Sequence, residues 1–339
     1  MAADPWEIQA RDYPMLGSAR EQLQFLLGYA ILAPSTHNTQ PWQFALRDDG
    51  IDVYVDDSKV LPIIDPVGRQ RIMSVGAAVL NIRVAARAVG LKIEETFFPH
   101  IKRQPTLVAQ LRLAGRRRPS ALDVALRDNI VTRRTNRQPY TQRPVSYAIA
   151  DDLIEVVRNE GAWLLRLHPR AKGPLADIIT AADRAQFADK GFRKELSKWL
   201  VPSGSGRRDG IPFAKKEYGS RMPIGVAMMV RTFDIGDNVA AKETSLAKGS
   251  PMLVVLGTPN DTPHDWVAAG RAMQAMMLKA GTYGLAASYL NQALEIPELR
   301  EQVFTLVEGR PNPQLVMRFG YGPAVQHPTP RHSVKSTLL

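Results

Sequence analysis

Two stretches far apart in this chain carry the same pattern, and that echo restricts the fold more than any other feature. Ser74 to Leu91 reads SVGAAVLNIRVAARAVGL, and Ala268 to Leu285 reads AAGRAMQAMMLKAGTYGL. Laid side by side without gaps, Gly76 falls on Gly270, Ala78 on Ala272, Ala86 on Ala280, and Gly90-Leu91 on Gly284-Leu285. Both are apolar at helical spacing and rich in small residues, so each predicts a helix that packs closely against another backbone. Each ends at a glycine followed by a short strand-like segment, as a glycine C-cap requires.

Two unrelated core helices that share alanines would give the same local match, but the echo extends upstream. The first half has an amphipathic segment, AREQLQFLLGYAIL, then a polar loop, then the strand-like WQFALRDDGIDVYVD. The second has AIADDLIEVVRNE and, almost at once, AWLLRLHP, with Trp42 and Trp163 in corresponding places. The chain therefore reads as two fused, related α+β units, over residues 1–122 and 123–339, of which only the first keeps the loop.

Composition excludes several chemistries. The 339 residues include no cysteine, which removes disulfides, thiolate nucleophiles, cysteine-ligated zinc and iron–sulfur clusters. Six histidines without HxxxH or HExxH spacing argue against a metal site. No apolar run approaches the roughly 20 residues that span a bilayer, and the opening MAADPWEIQARDYPMLG lacks a basic-then-apolar pattern, so a cytoplasmic location and no membrane partner are expected. The formal charge of +11 raises nucleic acid as a partner, but the arginines lie in short clusters without a basic tail or aromatic RNA-binding motif. Arg116 to Arg118 read as a solvated surface, and no nucleic-acid partner is expected.

Two local motifs carry the chemistry. The loop in ILAPSTHNTQPWQFAL, Ile31 to Leu46, has more hydrogen-bonding groups than a turn needs. IVTRRTNRQPY, Ile130 to Tyr140, combines three arginines with Thr135, a set suited to an anion, because guanidinium forks match phosphate oxygens. The first half has no such cluster and the second has no such loop. A single composite site between the halves would leave that division.

At this point the residues resemble a known family. APSTHNTQPWQF looks like the PSxxNxQPWxF loop of the nitroreductase flavoenzymes, and RRTNRQPY is similar to their RRSxRxF phosphate-binding segment. The ending PQLVMRFGYGPAVQHPTPRH resembles their closing strand, Gly-Tyr turn and late basic residue. Typical members are homodimers with FMN at the interface. The loop-first order here resembles the fused Acg-like branch, in which one chain imitates the dimer. The implied fold is α+β, nitroreductase-like, an intramolecular pseudo-dimer.

The resemblance implies that Arg133, Arg134, Thr135 and Arg137 hold the FMN phosphate and ribityl chain. It implies that Pro34, Ser35, Thr36, Asn38 and Gln40 contact the isoalloxazine edge and ribityl hydroxyls, and that Arg331 is the late phosphate contact. Leu290, Asn291 and Gln292, in SYLNQALE, fall where the family packs a loop over the flavin face. The structural alternatives are a self-capping turn for Asn38 and Gln40, a surface ion pair for Arg134, and a frayed tail for Arg331. A polar position inside a binding loop suffices to explain His37. No side chain is expected to be catalytic, because the cofactor carries the chemistry.

The implied activity is an FMN-dependent oxidoreductase, with NAD(P)H reducing FMN and a nitro-aromatic, quinone or similar small electron acceptor reoxidising it. The alternative is a flavin-sequestering protein. Leu200 to Pro223, long and rich in Gly, Ser and basic residues, reads either as a lid that would occlude the cofactor in that case or as a plain disordered excursion.

Overall fold

The computed structural model describes residues 4–213 and 225–339. The first half runs α1 (Ala19–Ala30), β1 (Trp42–Leu46), β2 (Gly50–Val55), α2 (Arg69–Ala88), β3 (Leu91–Phe97), β4 (Leu107–Arg116) and α3 (Ala121–Thr132). The second begins with α4 (Tyr147–Asn159) and β5 (Trp163–Arg166), then inserts α5 (Lys172–Ala188), α6 (Lys190–Trp199), β6 (Leu200–Pro202), β7 (Ile211–Phe213), α7 (Gly225–Thr232) and α8 (Gly236–Lys248). It resumes as β8 (Met252–Gly257), α9 (Pro263–Thr282), β9 (Ala286–Tyr289), α10 (Pro297–Leu306) and β10 (Pro313–Gly320).

The two main sheets are antiparallel and share one topology. The first is ordered β1-β2-β4-β3 and the second β5-β8-β10-β9, the same arrangement once the insertion is set aside. Trp42 and Trp163 each open the first strand of their sheet. In the first half β1 and β2 are joined by a tight hairpin, with Arg47 N–H donating to Gly50 O at 2.9 Å. In the second the same connection carries everything from α5 to α8, an excursion that sequence periodicity did not mark.

Helix starts follow local chemistry. Ser18 with Glu21, Ser120 with Asp123 and Thr262 with Asp265 form reciprocal capping boxes at α1, α3 and α9, and Pro263 sets the first helical φ of α9. The expected division at 122/123 falls inside the first turn of α3.

The echoing helices α2 and α9 pack against each other at the centre of one core drawn from both halves. Their glycines permit it. A Cβ on Gly76 would stand 2.5 Å from Val267 O, and one on Gly270 would stand 1.9 Å from Met73 O. The spacing that separates Gly76 from Gly270 also separates Met73 from Val267, so the two contacts are reciprocal. Each half thus lays its helix backbone on the other's. The last residues cross over too: Leu338 bridges Phe44, and Leu339 N–H donates to Phe44 O at 2.9 Å, along β1 of the first half.

Of the expected lid, Leu200 to Phe213 is described and residues 214–223 lie outside the described residues. The described part lies down on the first half. Lys59 Nζ is 2.8 Å from Asp209, Gln40 Nε2 donates to Arg208 O at 2.7 Å, and Gly210 N–H donates to Asn38 O at 3.3 Å.

Candidate functional site

The loop after α1 is built in an unusual way. His37, Asn38 and Gln40 all have left-handed backbone, with φ of 51°, 56° and 53°, and none is glycine. Such conformations cost roughly 1–3 kcal/mol each and persist only where the surroundings fix them. Here they are fixed by Ser35 Oγ accepting from Gln40 N–H at 2.9 Å and by Arg331, whose Nη1 donates to Asn38 Oδ1 at 2.7 Å and whose Nη2 donates to Ala33 O at 3.2 Å.

This loop forms one wall of a cavity of about 400 Å³ between the halves, within the range of small-molecule sites. Pro34, Ser35, Thr36 and Asn38 line it from the first half; Arg133, Arg134, Thr135, Arg137, Asn291, Gln292 and Arg331 line it from the second. The structure therefore brings eleven of the thirteen expected residues to one cavity.

Gln40 and Leu290 are not among them. Gln40 is a clamp: its amide reaches Arg208 O, and its Oε1 accepts from His332 N–H at 2.9 Å. Leu290 follows Tyr289, whose ring lines the cavity. Strand alternation turns Leu290 the other way, into the core around Leu175 and Val303, where it is fully buried.

The arginines of the cavity lack paired counter-charge. Among the described residues, no carboxylate forms an ion pair with Arg133, Arg134, Arg137 or Arg331. Arg133 Nε and Nη1, Arg134 Nε and Arg331 Nε are buried without a hydrogen-bond partner. Burial, then mutual repulsion with Arg133, pushes Arg134 down to about 10, and burial with repulsion from Arg133 and Arg134 lowers Arg331 well below the ordinary arginine range. Trp6 holds two of these cations in place: its ring lies 4.0 Å from the Arg134 guanidinium carbon and 5.0 Å from that of Arg331. Trp6 Nε1 donates to Thr329 O at 2.9 Å, which ties the N-terminal segment to the C-terminal one. Asn136 organises the arginine segment, with its backbone N–H on Ala287 O and its side-chain amide on Pro323 O.

His37 lines the same cavity, and its Nε2 is buried without a partner. Burial and the nearby Arg137 lower it to about 4, so the ring is neutral.

The same cavity also carries three acidic residues, which sequence motifs did not reveal. Asp183 of α5, Glu243 of α8 and Glu295 all line the cavity. Glu295 accepts from Gln70 Nε2 at 2.9 Å on one oxygen and from Gln186 Nε2 at 2.6 Å on the other, while Thr36 Oγ1 donates to Gln70 Oε1 at 2.8 Å. The expected loop is thus linked through α2 to the insertion. Burial, and then the neighbouring Glu243, raises Asp183 to about 7; burial raises Glu295 to about 7 as well.

The place corresponding to this cavity on the other side of the α2–α9 pair is filled. Glu95 of β3 takes the position that Tyr289 takes in β9. It pairs with Arg83 at 3.2 Å and Arg271 at 2.9 Å, and both arginines also pair with Glu160. Four charges and the Phe97 ring, 4.6 Å from Arg271, occupy that end.

No protein-family model matches the chain. It is similar along most of its length to proteins of Mycobacterium tuberculosis. It is 28% identical over 317 residues to "Putative NAD(P)H nitroreductase Rv3131", covering 91% of this chain and 88% of the relative. With "Putative NAD(P)H nitroreductase acg" it shares 24% identity over 304 residues, covering 89% of each. With "Uncharacterized protein Rv3127" it shares 26% over 319 residues, covering 91% of this chain and 90% of the relative. Among solved structures, the FMN-dependent nitroreductase NfnB from Mycobacterium smegmatis is 18% identical with a TM-score of 0.42, covering 62% of this chain and 96% of that one. The likeness seen in two short motifs thus extends over about nine-tenths of the chain.

Proposed function

We propose that this chain, as a fused nitroreductase-family protein of the Acg type, is an FMN-dependent oxidoreductase with its single cofactor site in the cavity between the halves. The observation that carries the reading is the set of buried, unpaired guanidinium nitrogens on Arg133, Arg134 and Arg331, opposite a strained polar loop. Buried charges are retained where something compensates them, and hydrogen bonds to a charged group contribute about 1.5–3 kcal/mol each. A phosphate monoester fits that donor set.

FMN, when bound, supplies the redox chemistry, taking a hydride from NAD(P)H and passing electrons to a nitro-aromatic, quinone or similar acceptor. The chain's residues bind and orient. Arg133, Arg134 and Arg331 would hold the phosphate, with Trp6 fixing two of them. Ser35 and Thr36 would offer hydroxyl groups to the ring edge, while Asn38, its side chain taken by Arg331 and Pro330 O, would hold the loop in place. His37, neutral at ordinary pH, offers a hydrogen bond without adding charge. Phe187, Phe192 and Leu196 of the insertion exclude water from the far wall.

A second reading is favoured by the closure of Leu200 to Phe213 on the loop through Asp209, Arg208 and Gly210: the protein would hold flavin without turnover. Anaerobic addition of NADPH or NADH to the FMN-loaded protein separates the two. Bleaching of the visible flavin band supports the oxidoreductase; flavin that stays oxidised supports sequestration. If Arg133→Ala and Asn38→Ala both fold and retain FMN like the parent protein, the composite site is wrong.

A further inference from the structure

The acidic residues of the cavity are not explained by cofactor binding. Asp183 is only 1% exposed, it lines the cavity, and its Oδ2 has no hydrogen-bond partner. Glu243 and Glu295 line the same wall, and no lysine, arginine or histidine forms an ion pair with any of the three among the described residues. Arg137, Lys242 and Arg318 stand near Glu243 and Arg69 near Glu295, close enough to favour the ionised carboxyls, but none of them is paired with the wall. The surface beside the carboxyls is apolar, with Phe187, Phe192 and Val239. Carboxyls facing one another in a closed space repel as they ionise, and a bound cation relieves that repulsion as no neutral guest can.

We propose that Asp183, Glu243 and Glu295 form a recognition wall for an organic cation, a molecule with a flat apolar body and an amidinium, guanidinium or ammonium group, which enters beside the cofactor as the electron acceptor or as a ligand in its place. The word acceptor rests on the oxidoreductase reading; the wall's preference for a cation does not. The apolar body packs on Phe187 and Phe192, and the cationic nitrogen donates to the open Oδ2 of Asp183. The raised affinity of Asp183 and Glu295 for protons fits the same picture, because a proton is the smallest cation that quiets the wall. Gln70 and Gln186 already occupy both oxygens of Glu295, so Asp183 is the residue with capacity left.

Three probes of one shape and different charge test this: benzamidine, benzamide and benzoate, titrated by calorimetry into the FMN-loaded protein at pH 7.5. Benzamidine is expected to bind at least tenfold more tightly than benzamide, with benzoate weakest. Asp183→Asn is expected to remove that tenfold advantage and leave benzamide unchanged, and Glu243→Gln to reduce it in part, which keeps the test intact should Asp183→Asn not fold. Equal binding of the three probes, a preference for benzoate, or an Asp183→Asn protein that still prefers benzamidine overturns the proposal. The visible flavin band is recorded in the same samples. A wild-type protein that binds no FMN would sink the oxidoreductase reading, and the benzamidine preference, read by heat, would still stand or fall by itself.

Discussion

Arg331 and Asn38 are nearly three hundred positions apart and joined at 2.7 Å, guanidinium to side-chain carbonyl, in a place where both are buried. That one bond fastens the C-terminal segment of the second half to the strained loop of the first. It also decides which way Asn38 faces, since its Nδ2 is taken by Pro330 O at 3.1 Å. Arg331→Ala is expected to leave Asn38 Oδ1 buried and unpaired, at about 1–3 kcal/mol. Thermal unfolding without flavin should show that loss, and an FMN titration should show retention at least tenfold weaker. Arg331→Lys is expected to recover little of either, because one ammonium cannot replace a fork that reaches Ala33, Asn38 and Thr329 together.

Trp6 extends the same clamp. Its ring faces both Arg134 and Arg331, and desolvated contacts of this kind contribute about 2 kcal/mol or more. Trp6→Ala is expected to weaken FMN retention by about tenfold or more. Trp6→Phe should fall between, keeping a ring but losing the bond to Thr329 O. Fluorescence recovery of released flavin measures both.

Gly270→Ala is expected to destabilise the whole molecule by about 1–3 kcal/mol or more, because the new methyl group meets the Met73 carbonyl rather than a movable side chain. Gly76→Ala acts on the same interface, so the double variant should depart from additivity. Urea titration of the three proteins checks the order. Equal stability of wild type and Gly270→Ala would mean that α2 and α9 do not approach as described.

The acidic wall gives stability a pH dependence of definite sign. Asp183 is raised to about 7 in the folded protein from an ordinary carboxylate value near 4. Its favourable contribution is therefore complete below about pH 4 and is lost as pH rises through 7. Asp183→Asn removes a group that must ionise while buried, so the variant should gain on wild type between pH 5 and 8. His37 has the opposite sign: lowered to about 4, it contributes stability that is present above about 6.5 and lost as pH falls. Comparing melting curves of wild type and Asp183→Asn across that range isolates the carboxyl, since His37 is common to both.

What the sequence made legible was local. The glycine-spaced helices, the polar loop and the arginine segment each lie within a short window, and each has a physical signature readable without neighbours. What stayed hidden is assembled from distant segments. Asp183, Glu243 and Glu295 sit on three elements that the fold alone gathers, and no spacing links them. Trp6 lies in a short segment whose role depends on Thr329 and Arg331. Gln40 was misleading for a different reason: its left-handed backbone turns the amide toward Arg208 and His332, which a motif match does not reveal. Leu290 shows the same limit, since alternation after Tyr289 decides the face it takes. The α5–α8 insertion was missed because helices in an excursion look like helices anywhere.

The quartet of Arg83, Glu95, Glu160 and Arg271 has a consequence for how such a chain can change. In a symmetric homodimer every substitution is made twice, so a residue that seals one pocket seals both. Joining the two copies in one gene breaks that bond of inheritance. Here the corresponding positions differ, Glu95 among paired charges on one side and Tyr289 at the cavity on the other, an asymmetry closed to any pair of identical subunits. Both halves still line the remaining cavity, so each is held to it while corresponding positions elsewhere are free to differ.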